Sequence, residues 1–247
     1  KYAEFDGLNL LFETREGILK HCSAKNARTL GEIGTRFLAR TQPGLEAQLA
    51  NVADEIAYNN HDVDDGLRAG LISVEQLRAM PLFAEPYEAV RRASPQLNER
   101  KIIHEVIRRM IGTQVEDLID TTRVVIEELA PKTIDDVRNA PESLVRFSPE
   151  MEAKHLELKR FLREALYRHY RVHRMAVKAK RTVQALFDAM MDDEGVMPSD
   201  DANHARAEER DKGLDGRARV VADYIAGMTD RYAIAEYQRL YHMVELT

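Results

Sequence analysis

The chain has 247 residues, and 36 Lys and Arg stand against 42 Asp and Glu for a formal charge of −6. That length suits one large domain or two small ones with a substantial core, and 12 Gly with 8 Pro are too few turn formers for an all-β protein. A single cysteine, Cys22, excludes an internal disulfide and a cysteine-rich zinc site, no apolar run approaches the ~18 residues of a membrane span, and the acidic balance sets bulk nucleic-acid binding aside.

The periodicity is helical nearly everywhere. Leu8, Leu11, Ile18 and Leu19 predict a first amphipathic helix ending near Lys20 and His21, whose cations suit a helix C-terminus. Residues 23–44 read as a polar connection closed by Pro43-Gly44, and a long helix follows from Leu45 to Arg68. Ser73-x-x-Gln76 is a capping box for a short helix. Pro81 and Pro86 break the chain, with Pro86 suited to a first helical position. From Ile102 to Leu129 an unbroken 3.6-residue apolar series predicts a long buried helix that Pro131 stops. Thr133-x-x-Asp136 caps another short helix. Ser148-Pro149-Glu150 is a strong N-terminus for a helix reaching about Met191, with a break near Tyr170. The polar stretch from Asp192 to Gly216 reads as a loop, and a last helical region runs from Arg217 to Leu240 with an interruption near Gly227. No strand pattern emerges.

The 45–68 helix carries the strongest chemical signal. On a wheel at about 100° per residue with Asp54 at zero, Leu45, Leu49, Val52, Ile56, Val63 and Leu67 fall between about 160° and 220°. Asp54, Tyr58 and Asp62 fall near 0°, about 40° and about 80° on the other side, in a ladder about 12 Å long that His61 and Asp65 join. Residues 45–67 contain Glu46, Asp54, Glu55, Asp62, Asp64 and Asp65 and no Lys or Arg. Solvated helix faces usually mix signs, so this face suits a cation or a hydrogen-bonding ligand as well as plain solvation. A second signal is the basic run from Lys154 to Arg181, where Lys159, Arg160, Arg163, Arg168, Arg171, Arg174, Lys178, Lys180 and Arg181 outnumber Glu157 and Glu164. Such a run suits phosphates, a single nucleic-acid strand stacking on Tyr167 and Tyr170, or solvent. His169-x-x-x-His173 has metal-ligand spacing but lacks the acidic partner of a zincin helix.

The run from Leu45 through Asp54-Glu-Ile-Ala-Tyr58-Asn-Asn-His61-Asp62 resembles the last metal-binding helix of the bacterial dGTPase-like, HD-domain deoxynucleoside triphosphate triphosphohydrolases. The stretches Gly7–His21 and Val221–Ala233 resemble, in the same order, the helix before it and the C-terminal signature of that family. The resemblance implies an all-α HD-domain phosphohydrolase fold over residues 1–130, with a C-terminal helical extension over 131–247. It implies hydrolysis of a dNTP to deoxynucleoside and inorganic triphosphate, by metal-activated water attacking the α-phosphorus. Carried over residue by residue, Asp54 is a metal ligand, Tyr58 lies against the sugar and Asp62 accepts from the 3′-hydroxyl. Leu162–His169 resembles the helix that brings a Tyr to the base, which assigns Lys159 and Arg163 to phosphate and Tyr167 to the base. The expected cofactor is a divalent metal, Mg or Mn foremost, with Fe, Ni, Co or Zn as alternatives.

In that family a first His and a His-Asp pair lie upstream of the Gly7 stretch. This sequence opens at Lys1 and is expected to begin after them, leaving one of four ligands in hand. His61-Asp62 is then not the metal dyad, and His61 is expected to make a structural hydrogen bond. The expected partners are a dNTP, further copies in a homo-oligomer such as a hexamer, and a regulatory nucleotide or single-stranded nucleic acid. A cytoplasmic setting without a membrane is expected. Two other readings compete: a catalytically silent helical regulatory module, and an HD phosphohydrolase acting on another nucleotide.

Overall fold

The computed structural model describes residues 3–4, 7–19 and 22–242, and every regular element among them is helical. In chain order these are α1 (Phe12–Ile18), α2 (Ala24–Ala27), α3 (Glu32–Ala39), α4 (Leu45–Arg68), α5 (Val74–Leu77), α6 (Pro81–Ala93), α7 (Glu99–Leu129), α8 (Ile134–Arg138) and α9 (Pro149–Leu162). A π-turn at Arg163–Tyr167 follows, then α10 (Tyr170–Asp192), α11 (Ser199–Lys212), α12 (Leu214–Ala226) and α13 (Asp230–Tyr241). No helix among the described residues is long and apolar enough to cross a membrane. The expected all-α class holds.

The chain forms two compact units that meet in sequence between Tyr167 and Arg168. The first therefore continues well past residue 130. The reason is packing: α9 buries Met151, Leu158 and Leu162 in the same core as Val63 of α4, Phe83 of α6 and Met110 of α7. The caps read from the sequence are in place. Ser73 and Thr133 each form a full capping box, and Ser148 accepts from the Met151 amide while its own groups meet the Asp117 carboxylate. The second unit has its own core of Leu186, Met190, Met197, Ala202, Ala205, Val221 and Ile225.

Several expectations are corrected. Leu8, Leu11 and Ile18 stay exposed around α1, and the residue that α1 buries is Glu16, paired with Arg36 at 2.7 Å and Arg138 at 3.7 Å. Lys20 and His21 lie outside the described residues. Residues 23–44 contain α2 and α3, helices too short to show a periodic signal. Pro81 begins a helix, whereas Pro86 sits inside the same helix near its middle. The apolar series of α7 is buried through Met110 and again at Leu118, but Val115, Ile119 and Leu129 are exposed.

The largest correction is the stretch Asp192 to Gly216. It contains a short 3-10 turn at Glu194–Val196, all of α11 and the start of α12. Helix α11 is polar nearly all round and buries only Ala202 and Ala205, so hydrophobic periodicity had nothing to report. The break near Tyr170 and the interruption at Gly227 are both observed, the latter as the C-cap of α12 before Thr229 caps α13.

Candidate active site

Helix α4 builds one wall. Its buried side holds Ile56 and Val63, as the apolar stripe predicts, together with Gln48, Asn59 and Asn60. Its outer side presents Asp54 and Tyr58, both exposed, and half-buried Asp62. Asp64 is paired with Arg68 one turn on, at 2.7 Å. His61 is exposed and its side chain makes no hydrogen bond among the described residues, so its expected structural bond is absent there.

The facing wall comes from α9 and the π-turn. Lys159 Nζ lies 2.9 Å from Glu55 Oε2, beside Asp54 in the chain. The Tyr167 hydroxyl donates to the Asp62 carboxylate. The rings of Tyr58 and Tyr167 stack with centroids 6.5 Å apart and planes within 9°. Arg163 is exposed on the same segment, four residues from Lys159 and from Tyr167. Lys159, Tyr167, Tyr58 and Asp62 are thus brought together, and Asp54 sits on the same face of α4 one turn before Tyr58.

The electrostatics separate the carboxylates. Burial raises the Asp62 carboxyl, Asp65 adds to this, and the Tyr167 hydrogen bond and His61 only partly offset it, so its value lies above the ordinary one. Burial also opposes ionisation of Glu55, but Lys159 and His155 outweigh it and hold that carboxyl below its ordinary value. The Tyr167 phenol is pushed up, first by burial and then by Asp62, which keeps it a donor.

Sequence reasoning missed the layer behind this wall. His155 of α9 is 3% exposed. Its Nε2 lies 3.1 Å from Asn59 Nδ2 and its Nδ1 lies 3.0 Å from Gln114 Oε1 of α7. Gln114 in turn donates to the Met110 carbonyl at 3.0 Å. A signal was present, because Asn59 and Asn60 fall near about 140° and about 240° on the α4 wheel, flanking the apolar stripe. Burial depresses the His155 pKa despite the nearby Glu55. The unfolded chain therefore binds a proton there more readily than the folded one. Stability from this site is complete above the ordinary histidine value of about 6.5 and is lost as pH falls through the lower folded value. His155→Gln is expected to flatten the fall in melting temperature between about pH 7 and pH 5, followed by circular dichroism.

Asp54 fits a cation as one contributed carboxylate. Among the described residues no three His, Cys, Asp or Glu side chains gather into a complete site. His169 instead uses Nδ1 to cap α10, accepting from the Arg171 amide at 3.3 Å. In the second unit Arg171, Arg174, Lys178 and Arg181 line a groove of about 940 Å³ beside Tyr237 and His242. None of its lining residues among those described is acidic.

A family described as a phosphohydrolase-associated domain matches residues 145–239. A deoxyguanosinetriphosphate triphosphohydrolase-like protein of Bordetella pertussis is 56% identical over 243 residues, covering 98% of this chain and 61% of the relative. One of Thiobacillus denitrificans is 53% identical over 246 residues, covering 100% of this chain and 63% of the relative. One of Nitrosomonas europaea is 47% identical over 245 residues, covering 99% and 63%. The chain thus spans about three-fifths of the length of the curated relatives it matches.

Proposed function

Because the chain is a relative of the deoxyguanosinetriphosphate triphosphohydrolase-like proteins, we propose that it supplies part of a metal-dependent dNTP triphosphohydrolase site, with dGTP as the first substrate to test. The observation that carries this reading is the facing pair of walls. Asp54, Tyr58 and Asp62 ascend one helix, and Lys159 and Tyr167 meet that helix from the other side.

In this reading Asp54 is one ligand of a divalent metal. A divalent metal when bound lowers the pKa of a coordinated water and offsets charge developing at phosphorus. The chain's own residues do the positioning. Tyr58 packs against the deoxyribose, Asp62 accepts from the 3′-hydroxyl, and Tyr167 meets the base. Lys159 and Arg163 hold phosphate oxygens, with Lys159 exchanging its Glu55 partner for the ligand. Holding the nucleotide in one pose is worth several orders of magnitude in rate. Assembly as a homo-oligomer, and a regulatory nucleotide or single-stranded nucleic acid as a further partner, belong to the same proposal. The basic side chains lining the groove along α10 support an anionic partner.

The test is product analysis after incubation of the metal-loaded protein with dGTP. Release of deoxyguanosine and inorganic triphosphate is expected; stepwise release of single phosphates would overturn the reading. Asp62→Ala is expected to lower the preference for dGTP over its 3′-deoxy analogue, as a ratio of kcat/KM values, roughly 10- to 100-fold, the scale of a carboxylate left without a donor. Equal changes on both substrates would remove Asp62 from its assigned place.

A further inference from the structure

The layer behind the site has its own chemistry. His155, Asn59 and Gln114 belong to three helices, α9, α4 and α7, and all three side chains are at least 95% buried. Their hydrogen bonds have a direction. Gln114 spends its amide nitrogen on the Met110 carbonyl, so its oxygen is the atom that faces His155 Nδ1. Nδ1 therefore carries the proton and donates. Nε2 faces the Asn59 amide at 3.1 Å, with the Glu55 carboxylate 3.5 Å away. The imidazole meets an amide on either side and cannot turn without breaking one of these contacts. The Phe147 ring, 5.2 Å away, closes the remaining face.

The position of this joint matters more than its strength. Asn59 follows Tyr58 directly and precedes Asp62 by three residues. His155 lies one turn before Lys159 and three turns before Tyr167. Apolar contacts between helices are tolerant of small sliding, because ridges and grooves offer neighbouring registers. A buried ring bonded at both nitrogens is not.

We propose that His155 is a positioning residue, which by joining Asn59 of α4 to Gln114 of α7 fixes the register at which α9 and its π-turn deliver Lys159 and Tyr167 to Tyr58 and Asp62. The part of this that concerns substrate rests on the function proposed above; the part that concerns register does not.

Two readouts separate them, both made on the full-length metal-loaded protein as wild type, His155→Gln and His155→Leu. The first is the nuclear Overhauser contact between the Tyr58 and Tyr167 rings, observed with selectively labelled tyrosine. It is expected in the wild type, weakened in His155→Gln, which keeps one of the two bonds, and lost in His155→Leu. The second is steady-state kinetics with dGTP, where His155→Leu is expected to lose about 10²-fold in kcat, the scale of a displacement of about 1 Å, with His155→Gln between it and wild type. A His155→Leu protein with full helicity, an intact ring contact and wild-type kinetic constants would overturn the proposal. If His155→Leu fails to fold, His155→Gln decides, since an unchanged ring contact there overturns it equally. If the wild type hydrolyses no dNTP while the ring contact depends on His155, the register role stands and the proposed function falls.

Discussion

Asp54→Ala is expected to reduce triphosphate release from dGTP by roughly 10³-fold or more, the rate equivalent of losing several kcal/mol of metal-borne charge stabilisation. The side chain is exposed on α4, so helicity is expected to stay close to the parent's. Equilibrium metal content, measured by elemental analysis after gel filtration, is expected to fall in parallel. Asp120→Ala, which removes an exposed carboxylate of α7 paired with Arg123, is the matched control and is expected to leave turnover unchanged. Unchanged turnover in Asp54→Ala itself would remove that residue from the metal.

The second large effect concerns two glycines that should respond to one substitution with opposite signs. A methyl group on Gly216 would lie 2.4 Å from the Glu208 carbonyl oxygen and 2.8 Å from its carbon. Those are backbone atoms of α11, and they cannot turn aside as a side chain would. Gly216→Ala therefore forces α12 away from α11 and is expected to cost about 1–3 kcal/mol. Gly112 lies in the middle of α7 with nothing within 4 Å of the position a methyl would take. Gly112→Ala is expected to gain about 0.5–1 kcal/mol, because alanine has less backbone freedom to lose on folding. Denaturant unfolding of the two variants reads both signs; a stabilised Gly216→Ala would mean that α11 and α12 pack less closely than described.

How much of this was legible in the sequence depended on whether a feature is local. Caps are local, and Ser73, Thr133 and Ser148 were each readable from a few residues. The ladder on α4 is local too, since helical pitch alone places Asp54, Tyr58 and Asp62 on one face. The assignment of Lys159 and Tyr167 to the opposing wall came from resemblance, and spacing alone left it open. What escaped was set by packing. Helix α11 carries no apolar stripe, and its two buried alanines are too small to register as a pattern. The apolar residues of α1 pointed to a buried face that the fold gives instead to Glu16. His155 and Gln114 look like ordinary polar residues until three helices close around them.

Under the proposed function, the contact between Tyr167 and Asp62 has a consequence for selectivity. In the free protein the carboxylate already has a donor, so an incoming sugar hydroxyl does not add a hydrogen bond but takes the place of the phenol. Such an exchange is close to neutral in free energy when the newcomer brings an equivalent donor. It is costly when the newcomer brings none, because the carboxylate is then left covered and unanswered. A nucleotide with the correct sugar gains little affinity at this point, and one with the wrong sugar loses a great deal. The site would thus discriminate chiefly by penalising the mismatch, as a lock with its own key blank left in place.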